Sequence, residues 1–343
     1  MVEQLTRNEQ VVGSIPTGGS LFSKSLAING MSMNRNKILA GCLVIGYSCS
    51  VSAGGSGFPF MRMETGARPA AMAGAFTAMP SDPYGLNCNP ASLSGIQNRL
   101  ASITYTDYFM DIQMGWLGYC QSVEKIGNLS ASIGYLNYGE LQRTDILGGN
   151  LGSFSASDIL LTLGLARPFR GNWAYGLTLK MARSQLAEFS SEAVACDAGL
   201  ILHVPGQLLH AGLAVRNLGA SLSKFDQTRE QVPLTYRAGI SKQLAHLPLV
   251  FNIDLIRYHH DASRTLAGFY WASGGEFTLS EYVKFRFGYH SKGSDQRLTE
   301  GGDRFSGVSL GLSIRIRGFV IDYASVFSGP LKSISHFTFS AVL

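Results

Sequence analysis

Residues 173–183 read WAYGLTLKMAR, and they decide the fold because apolar residues alternate with small or polar ones at every second position. The apolar positions are Trp173, Tyr175, Leu177, Leu179 and Met181. Successive side chains of a β-strand point to opposite faces, so the pattern predicts a strand with one apolar and one polar face. The same alternation recurs at residues 283–290, VKFRFGYH, and at residues 308–317, VSLGLSIRIR.

Outward from this stretch, about fourteen such segments follow one another between turn signals. Their approximate centres are Ile103, Met114, Ile133, Leu161, Leu177, Ala198, Leu213, Ala238, Phe251, Phe269, Phe285, Leu310, Ile321 and Phe337. Tight connections, such as Gly171-Asn172, alternate with longer ones around residues 138–156, 186–192, 217–232, 258–264, 290–304 and 328–333. Outer-membrane barrels sort their connections in this way, whereas a water-soluble sandwich has no reason to. We therefore predict an all-β fold, a transmembrane antiparallel β-barrel of about 14 strands over residues 100–343, in the cell outer membrane of a Gram-negative type of cell.

The composition favours a membrane environment over a nucleic-acid partner. Charged residues make up 15% of the 343 residues, against roughly 25% in soluble proteins. Glycine occurs 40 times, and the formal net charge is only +5. Because no basic cluster with interleaved aromatic residues occurs, we expect outer-membrane lipid as a partner and no nucleic acid.

The first 53 residues have the pattern of a leader. Residues 34–37, NRNK, precede an apolar run at residues 38–47, and Val51-Ser52-Ala53 is a small-residue cleavage site of the A-x-A kind. We predict a signal peptide over residues 34–53 and an upstream extension over residues 1–30, with Met31 or Met33 as the natural start. A lipobox at residues 39–42, LAGC, is the alternative, but almost no apolar segment precedes it.

Neither the histidines nor the cysteines form a motif that carries chemistry. The seven histidines show no metal-binding spacing, and the nearest constellation, His259-His260-Asp261, has the character of a hydrated loop. Three cysteines remain after the leader, Cys88, Cys120 and Cys196, an odd number that excludes a full disulfide framework. We predict no catalytic, cofactor-binding or metal-binding residue and no cofactor, and therefore a protein that is not an enzyme.

Residues 54–99 do not alternate. They contain an Ala-rich piece at residues 67–78 that could form a helix and a turn-rich piece at residues 82–95, DPYGLNCNPASLSG. Such a segment is too apolar to hang free in water and too irregular for a wall strand. We predict that it is a short N-terminal plug in the lumen of the barrel.

The plug carries a motif that resembles the PorV/PorQ family of outer-membrane proteins, which are distant relatives of the fatty-acid transporter FadL. The motif residues are Gly66, Arg68, Met72, Gly74, Asp82, Asn89, Pro90 and Ala91. The segments KIGNLSASIGYLNYGELQRTD, GLAVRNLGASL and GVSLGLSIRIRGFVIDY look most like the PorQ branch. The sequence departs from its relatives at residues 80–83, PSDP, where they often carry an acidic pair, so we assign the motif a structural role only.

The resemblance implies a function in type IX protein secretion, where PorV shuttles cargo to a surface attachment complex and PorQ holds a surface partner. It implies that this chain is an anchor, docking or shuttle component with surface or periplasmic secretion-complex proteins as partners. The alternative is a FadL-like channel for hydrophobic small molecules, with a hydrophobic ligand; a catalytic barrel comes third. A channel needs an apolar pocket that reaches a lateral opening in the wall, whereas a docking barrel has a filled lumen.

Charged residues at the polar positions of the alternating strands help to distinguish a channel from a docking barrel. They are Lys180, Asp197, Arg216, Arg237, Asp254, Lys284, Arg286, Arg315 and Asp322. We expect them to face the lumen. Ion pairs that fill the barrel are one interpretation, and a solute or ligand path is the other.

Overall fold

The structure is a computed structural model that describes residues 57–145, 149–224, 230–259, 268–296, 304–329 and 333–343. The predicted leader, residues 1–53, lies outside the described residues. So do residues 54–56 of the predicted plug and residues 260–261 of the histidine-containing loop.

Within the described residues, fourteen antiparallel strands form one closed barrel. Their bounds are β1 Leu100–Asp107, β2 Gln113–Val123, β3 Gly127–Thr144, β4 Asn150–Phe169, β5 Trp173–Leu186, β6 Phe189–Val204, β7 Leu209–Ser221, β8 Thr235–Gln243, β9 Leu249–Tyr258, β10 Phe269–Thr278, β11 Val283–His290, β12 Val308–Ile316, β13 Phe319–Phe327 and β14 Ser333–Val342. Each strand pairs with its neighbours in sequence, and β14 closes the barrel against β1, with Ile103 opposite Phe339. The predicted barrel of about 14 strands is confirmed, and every predicted centre lies within a strand.

The outer face of the wall is apolar and the inner face is polar. In β5, Leu177, Leu179 and Met181 point outward and are 49–54% exposed, whereas Thr178 and Lys180 point inward and are buried. Closure satisfies the backbone hydrogen bonds of every strand, which lipid requires. The chain is therefore an outer-membrane β-barrel.

None of the helices in the described ranges is long and apolar enough to cross a membrane.

The connections differ in length between the two ends of the barrel. One end carries short turns at residues 124–126, 170–172, 205–208, 244–248, 279–282 and 317–318, and the opposite end carries most of the longer connections. We name these the periplasmic end and the outer end, since outer-membrane barrels keep their short turns in the periplasm.

The predicted longer connection around residues 186–192 is wrong. β5 and β6 continue as paired strands, and only residues 187–188 join them, with Ala187 at a φ of 53°. β3 to β6 contain 14–20 residues each, whereas about 9–11 suffice to span a membrane. The alternation of faces persists beyond the bilayer, so these strands form a tall rim at the outer end.

The segment before β1 lies in the lumen. It contains one short helix, α1 Ala67–Ala71, and the 3₁₀ turns Pro59–Arg62, Tyr84–Asn87 and Pro90–Gly95. A fourth 3₁₀ turn, Ser291–Gln296, follows β11. The fold therefore includes the predicted luminal plug.

The helix predicted as possible over residues 67–78 ends early. Ala73 and Gly74 adopt positive φ angles of 53° and 73°. Beyond them, the N–H groups of Phe76 and Thr77 donate to the Asp254 carboxylate of β9 at 3.0 and 2.9 Å instead of to helix carbonyls. A tertiary contact thus ends a helix that local propensity alone would extend.

Candidate functional site

The candidate site consists of the plug and the inner wall that holds it, and glycines of the wall make the fit possible. A Cβ atom on Gly176 of β5 would lie 2.3 Å from the Pro90 carbonyl carbon, and one on Gly288 of β11 would lie 2.4 Å from that of Met72. Only a residue without a side chain allows such a close approach of two backbones. The inner face of the wall strands, which carries the polar and small residues, is therefore also the surface on which the plug docks.

Glu276 of β10 ties the plug to the wall. Arg68 of α1 binds it with two hydrogen bonds, Nε to Oε2 at 2.7 Å and Nη2 to Oε1 at 2.9 Å. On the wall side, Arg286 Nε donates to Oε2 at 2.7 Å and Lys284 Nζ donates to Oε1 at 2.9 Å. A bidentate arginine–carboxylate pair fixes geometry as well as charge. Glu276 was not among the charges that we expected from the sequence.

Two further carboxylates complete this network. Arg286 Nη1 donates to Asp322 Oδ1 of β13 at 2.6 Å. Arg68 Nη1 also contacts Asp82, a plug residue. Burial opposes the charge of Arg68, but the carboxylates of Glu276 and Asp82 outweigh that effect and raise the pKa of Arg68 above its ordinary value.

Asp82 also shapes the turn-rich part of the plug. Its Oδ1 accepts the N–H groups of Tyr84 at 2.7 Å and of Gly85 at 3.2 Å, as Asp often does at the start of a turn. The side chain thus joins α1 to the turn Tyr84–Asn87.

Asp254 of β9 is the second point at which wall and plug are joined. Besides the two N–H groups described above, it accepts the Thr77 hydroxyl at 2.5 Å and Arg237 Nη2 of β8 at 3.0 Å. Arg237 also donates to the Gly74 carbonyl. Wall charges therefore replace the hydrogen bonds that a continued helix would have supplied.

Asn89, Pro90 and Ala91 form the third contact region. Asn89 Oδ1 caps the turn Pro90–Gly95 by accepting the Ala91 N–H at 3.0 Å. Its Nδ2 donates to the Thr77 carbonyl at 2.7 Å and to the Leu200 carbonyl of β6 at 3.1 Å. One buried side chain thus binds two parts of the plug and the wall.

The remaining motif residues also lie within the plug. The Gly66 carbonyl accepts the Ala70 N–H at 3.2 Å in the first turn of α1. Met72 is fully buried, and its backbone packs on Gly274 and Gly288. The structure thus brings the eight motif residues together in one luminal segment.

Of the other charges that we expected in the lumen, most are buried there. Lys180 Nζ lies 2.6 Å from Asp197 Oδ2 and donates to Asn217 Oδ1 at 2.9 Å. This pair lies beside a bulge in β7, where two residues of β7 stand opposite Asp197 of β6 and the Asn217 N–H donates to Asp197 Oδ1 at 2.6 Å. Arg315, in contrast, is exposed, because it lies beside the short turn after β12 at the mouth of the barrel.

The plug cysteine is packed and unreactive. Cys88 is fully buried, and burial, together with the nearby Glu64, raises the pKa of its thiol above the ordinary value. Because the thiolate is the nucleophilic form, Cys88 stays a neutral packing residue. Cys120 is buried as well, whereas Cys196 is exposed on the outer face of β6.

A small polar cavity lies between the plug and β1 to β3. Its volume is about 20 Å³, and its lining includes Tyr84 and Asn87 of the plug with Ser130 and Ser132 of β3. Within the described residues, Asn87 Oδ1 and the hydroxyls of both serines find no hydrogen-bond partner. A polar space of this size takes one water molecule.

An apolar groove lies on the opposite, lipid-facing side of the same wall. Its volume is about 560 Å³, and Leu117, Ile133, Leu163 and Met181 are among the residues that line it. Four residues border both the groove and the cavity: Gly118, Tyr119, Ala131 and Ser132. Gly118 and Ser132 face each other in the β2–β3 ladder, so at this point the wall carries only a glycine, which has no side chain, and a small serine.

The sequence missed this part of the site. The small residues of β2 and β3 look unremarkable in the alternating pattern, and only the register of the two strands places Gly118 beside Ser132.

The described residues contain no group of three or more His, Cys, Asp and Glu side chains that could hold a metal ion.

No known protein family matches the sequence, and no curated protein matches it either. The fold, however, resembles those of several solved structures. The toluene transporter TbuX of Ralstonia pickettii superposes with a TM-score of 0.56 at 13% identity, covering 81% of this chain and 98% of that one. The monoaromatic hydrocarbon channel CymD gives 0.56 at 11% identity, with 81% and 97% covered. A FadL homologue of Pseudomonas aeruginosa gives 0.51 at 14% identity, with 84% and 98% covered. The chain therefore has the fold of FadL-type outer-membrane barrels.

Proposed function

We propose that this protein is a FadL-like channel for hydrophobic small molecules, and that the conformation described above is its closed state. One observation carries the proposal. An apolar groove on the lipid side of the wall and a cavity on the luminal side, beneath the plug, border the same Gly118–Ser132 pair. The channel is not an enzyme, and its substrate passes through unchanged.

The chemistry of the groove supports a hydrophobic substrate. Its lining is mostly aliphatic, with Tyr119, Ser132 and Thr162 as the exceptions, so it offers a lipid-dissolved molecule contact area but few hydrogen-bonding groups. The TbuX and CymD likenesses add support, because those proteins carry toluene and monoaromatic hydrocarbons according to their names. We take hydrocarbon-like molecules as the substrate class.

The contacts that hold the plug favour a role for it as the gate of the channel. It is held by ion pairs and hydrogen bonds rather than by covalent links, and polar contacts can exchange partners when the plug moves. In the closed state the Glu276 and Asp254 contacts hold it in place. A path from groove to lumen opens only when the turn Tyr84–Asn87 withdraws from the wall.

Uptake of radiolabelled toluene and oleate tests the proposal, in cells that lack other outer-membrane channels for such molecules. We expect several-fold faster initial uptake of at least one probe when the chain is present. The variant Ala131→Trp, which fills the groove, should abolish the gain. Ala198→Trp, a substitution of another exposed alanine on β6 outside the groove, should leave it intact.

Uptake no faster than in cells without the chain contradicts the proposal, and so does an Ala131→Trp variant as active as the wild type. The amount of folded barrel in the membrane is measured for each variant, so that poor insertion is excluded as the cause of a lower uptake.

A docking role in type IX-like secretion is the second candidate. It is supported by the resemblance of the plug motif to PorV/PorQ proteins. It is also supported by the lumen, which in the described residues contains the plug, an ion pair between plug and wall, and ion pairs within the wall. Under this proposal the tall rim of β3 to β6 meets surface proteins of the secretion complex, and the short turns at the opposite end meet periplasmic ones. Purification from native outer membranes in mild detergent tests it: secretion proteins should co-purify, and recovery of only small hydrophobic ligands would contradict docking.

A further inference from the structure

Two histidines face each other at the periplasmic mouth of the barrel. His203 near the end of β6 and His210 near the start of β7 are direct partners in the ladder. The His203 N–H donates to the Asn172 carbonyl at 2.8 Å, on the opposite side from β7. The two histidines therefore form a non-hydrogen-bonded pair, the kind in which side chains approach most closely.

Both side chains lie on the inner face. His203 follows Gly199 and Ile201 on one parity of β6, and a Cβ on Gly199 would meet the Asn89 side chain of the plug. His210 precedes Gly212, where a Cβ would meet the Thr77 carbonyl. The pair thus lies just beyond the plug, where His203 is exposed and His210 half-buried.

The distance between the two rings fits a shared metal ion. The Nδ1 atoms are 3.4 Å apart, and the ring centroids are 4.7 Å apart. Two tetrahedral ligands at 2.0–2.1 Å from Zn²⁺ are separated by about 3.3–3.4 Å. Two adjacent ligands of a square-planar Cu²⁺ at a similar bond length would be only about 2.8 Å apart.

We propose that His203 and His210 bind one Zn²⁺ ion through their Nδ1 atoms, with water completing a tetrahedral site. Because both rings are held on paired strands, they need little rearrangement to bind. The ion cross-links β6 and β7 at the periplasmic end.

Calorimetric titration of the untagged, refolded chain with ZnCl₂ in detergent tests the site. We expect one Zn²⁺ per chain. His203→Gln or His210→Gln should each weaken binding on the order of 100-fold, because one imidazole alone loses the gain from two linked ligands. Titration with CoCl₂ should give the intense visible absorption of a tetrahedral site.

His246→Gln is the matched control, since His246 is an exposed histidine in a turn at the same end. Its binding should equal that of the wild type. The proposal is overturned if the wild type binds no Zn²⁺, if both pair variants bind as the wild type does, or if His246→Gln removes binding as they do. The heat-dependent mobility of each variant on a gel establishes that it is folded.

Discussion

Glu276 is the residue on which the attachment of the plug depends. It accepts hydrogen bonds from three cations, one from the plug and two from β11, while only 2% exposed. A buried carboxylate is stable there because its partners satisfy both oxygens. Removal of its charge leaves Arg68 without its bidentate partner in the barrel interior.

We therefore expect Glu276→Gln to destabilise the folded barrel by about 3–5 kcal/mol, the cost of breaking a buried ion pair. Guanidinium-induced unfolding in lipid vesicles measures this. Glu188→Gln is the control, because Glu188 pairs with Arg143 on the exposed rim at 3.1 Å, where solvent screens the pair. Equal effects of the two substitutions would contradict the structural role of Glu276.

Contacts between pairs of elements determine how the backbone of the plug is seated. The wall strands contribute glycines where plug backbone crosses them, as at Gly176 and Gly288. α1 ends at Ala71, and a few residues later Asp254 of β9 accepts the N–H groups of Phe76 and Thr77. Each strand thus has two roles: its outer face contacts lipid, and its inner face shapes the plug.

At this scale Gly176→Ala should displace the plug, because the new methyl group would lie 2.3 Å from the carbonyl carbon of Pro90. We expect larger ion conductance in planar bilayers and faster proteolysis of residues 57–99. Gly115→Ala on β2 is the control, since a Cβ there has nothing within 4 Å. A closed, protease-resistant Gly176→Ala variant would show that the contact does not seat the plug.

The whole molecule is organised by its apolar belt and its polar interior. Trp173 and Trp271 point outward and are 44% and 47% exposed. The first lies near the periplasmic end, and the second lies near the outer end. Aromatic girdles at the two membrane interfaces have this arrangement. Trp116, in contrast, faces the lumen and is buried over Gly134.

Fluorescence quenching by brominated lipids tests the placement of the whole barrel. A variant that keeps only Trp271 or only Trp173 should be strongly quenched in such vesicles, because the ring contacts lipid. A variant that keeps only Trp116 should be quenched little. Strong quenching of Trp116 would mean that its side chain faces lipid, contrary to the closed barrel.

The sequence by itself determined the strands and the two faces of the wall, because alternation is local information that each strand carries alone. It placed Lys180, Asp197 and Asp322 on the inner face, where they are buried. It was less accurate where small residues weaken the pattern: the centre predicted at Phe269 is the first residue of β10, whose middle is rich in glycine. Glu276, near the end of that strand, escaped notice for the same reason.

Only the tertiary structure decided which inner residues meet. Arg68 and Glu276 are 208 positions apart, and their contact depends on the register of the strands and the closure of β1 on β14. The pairing of Gly118 with Ser132 and that of His203 with His210 also depend on strand register. Such contacts are long-range, and no local pattern encodes them, since a strand specifies its faces but not its neighbour's residues.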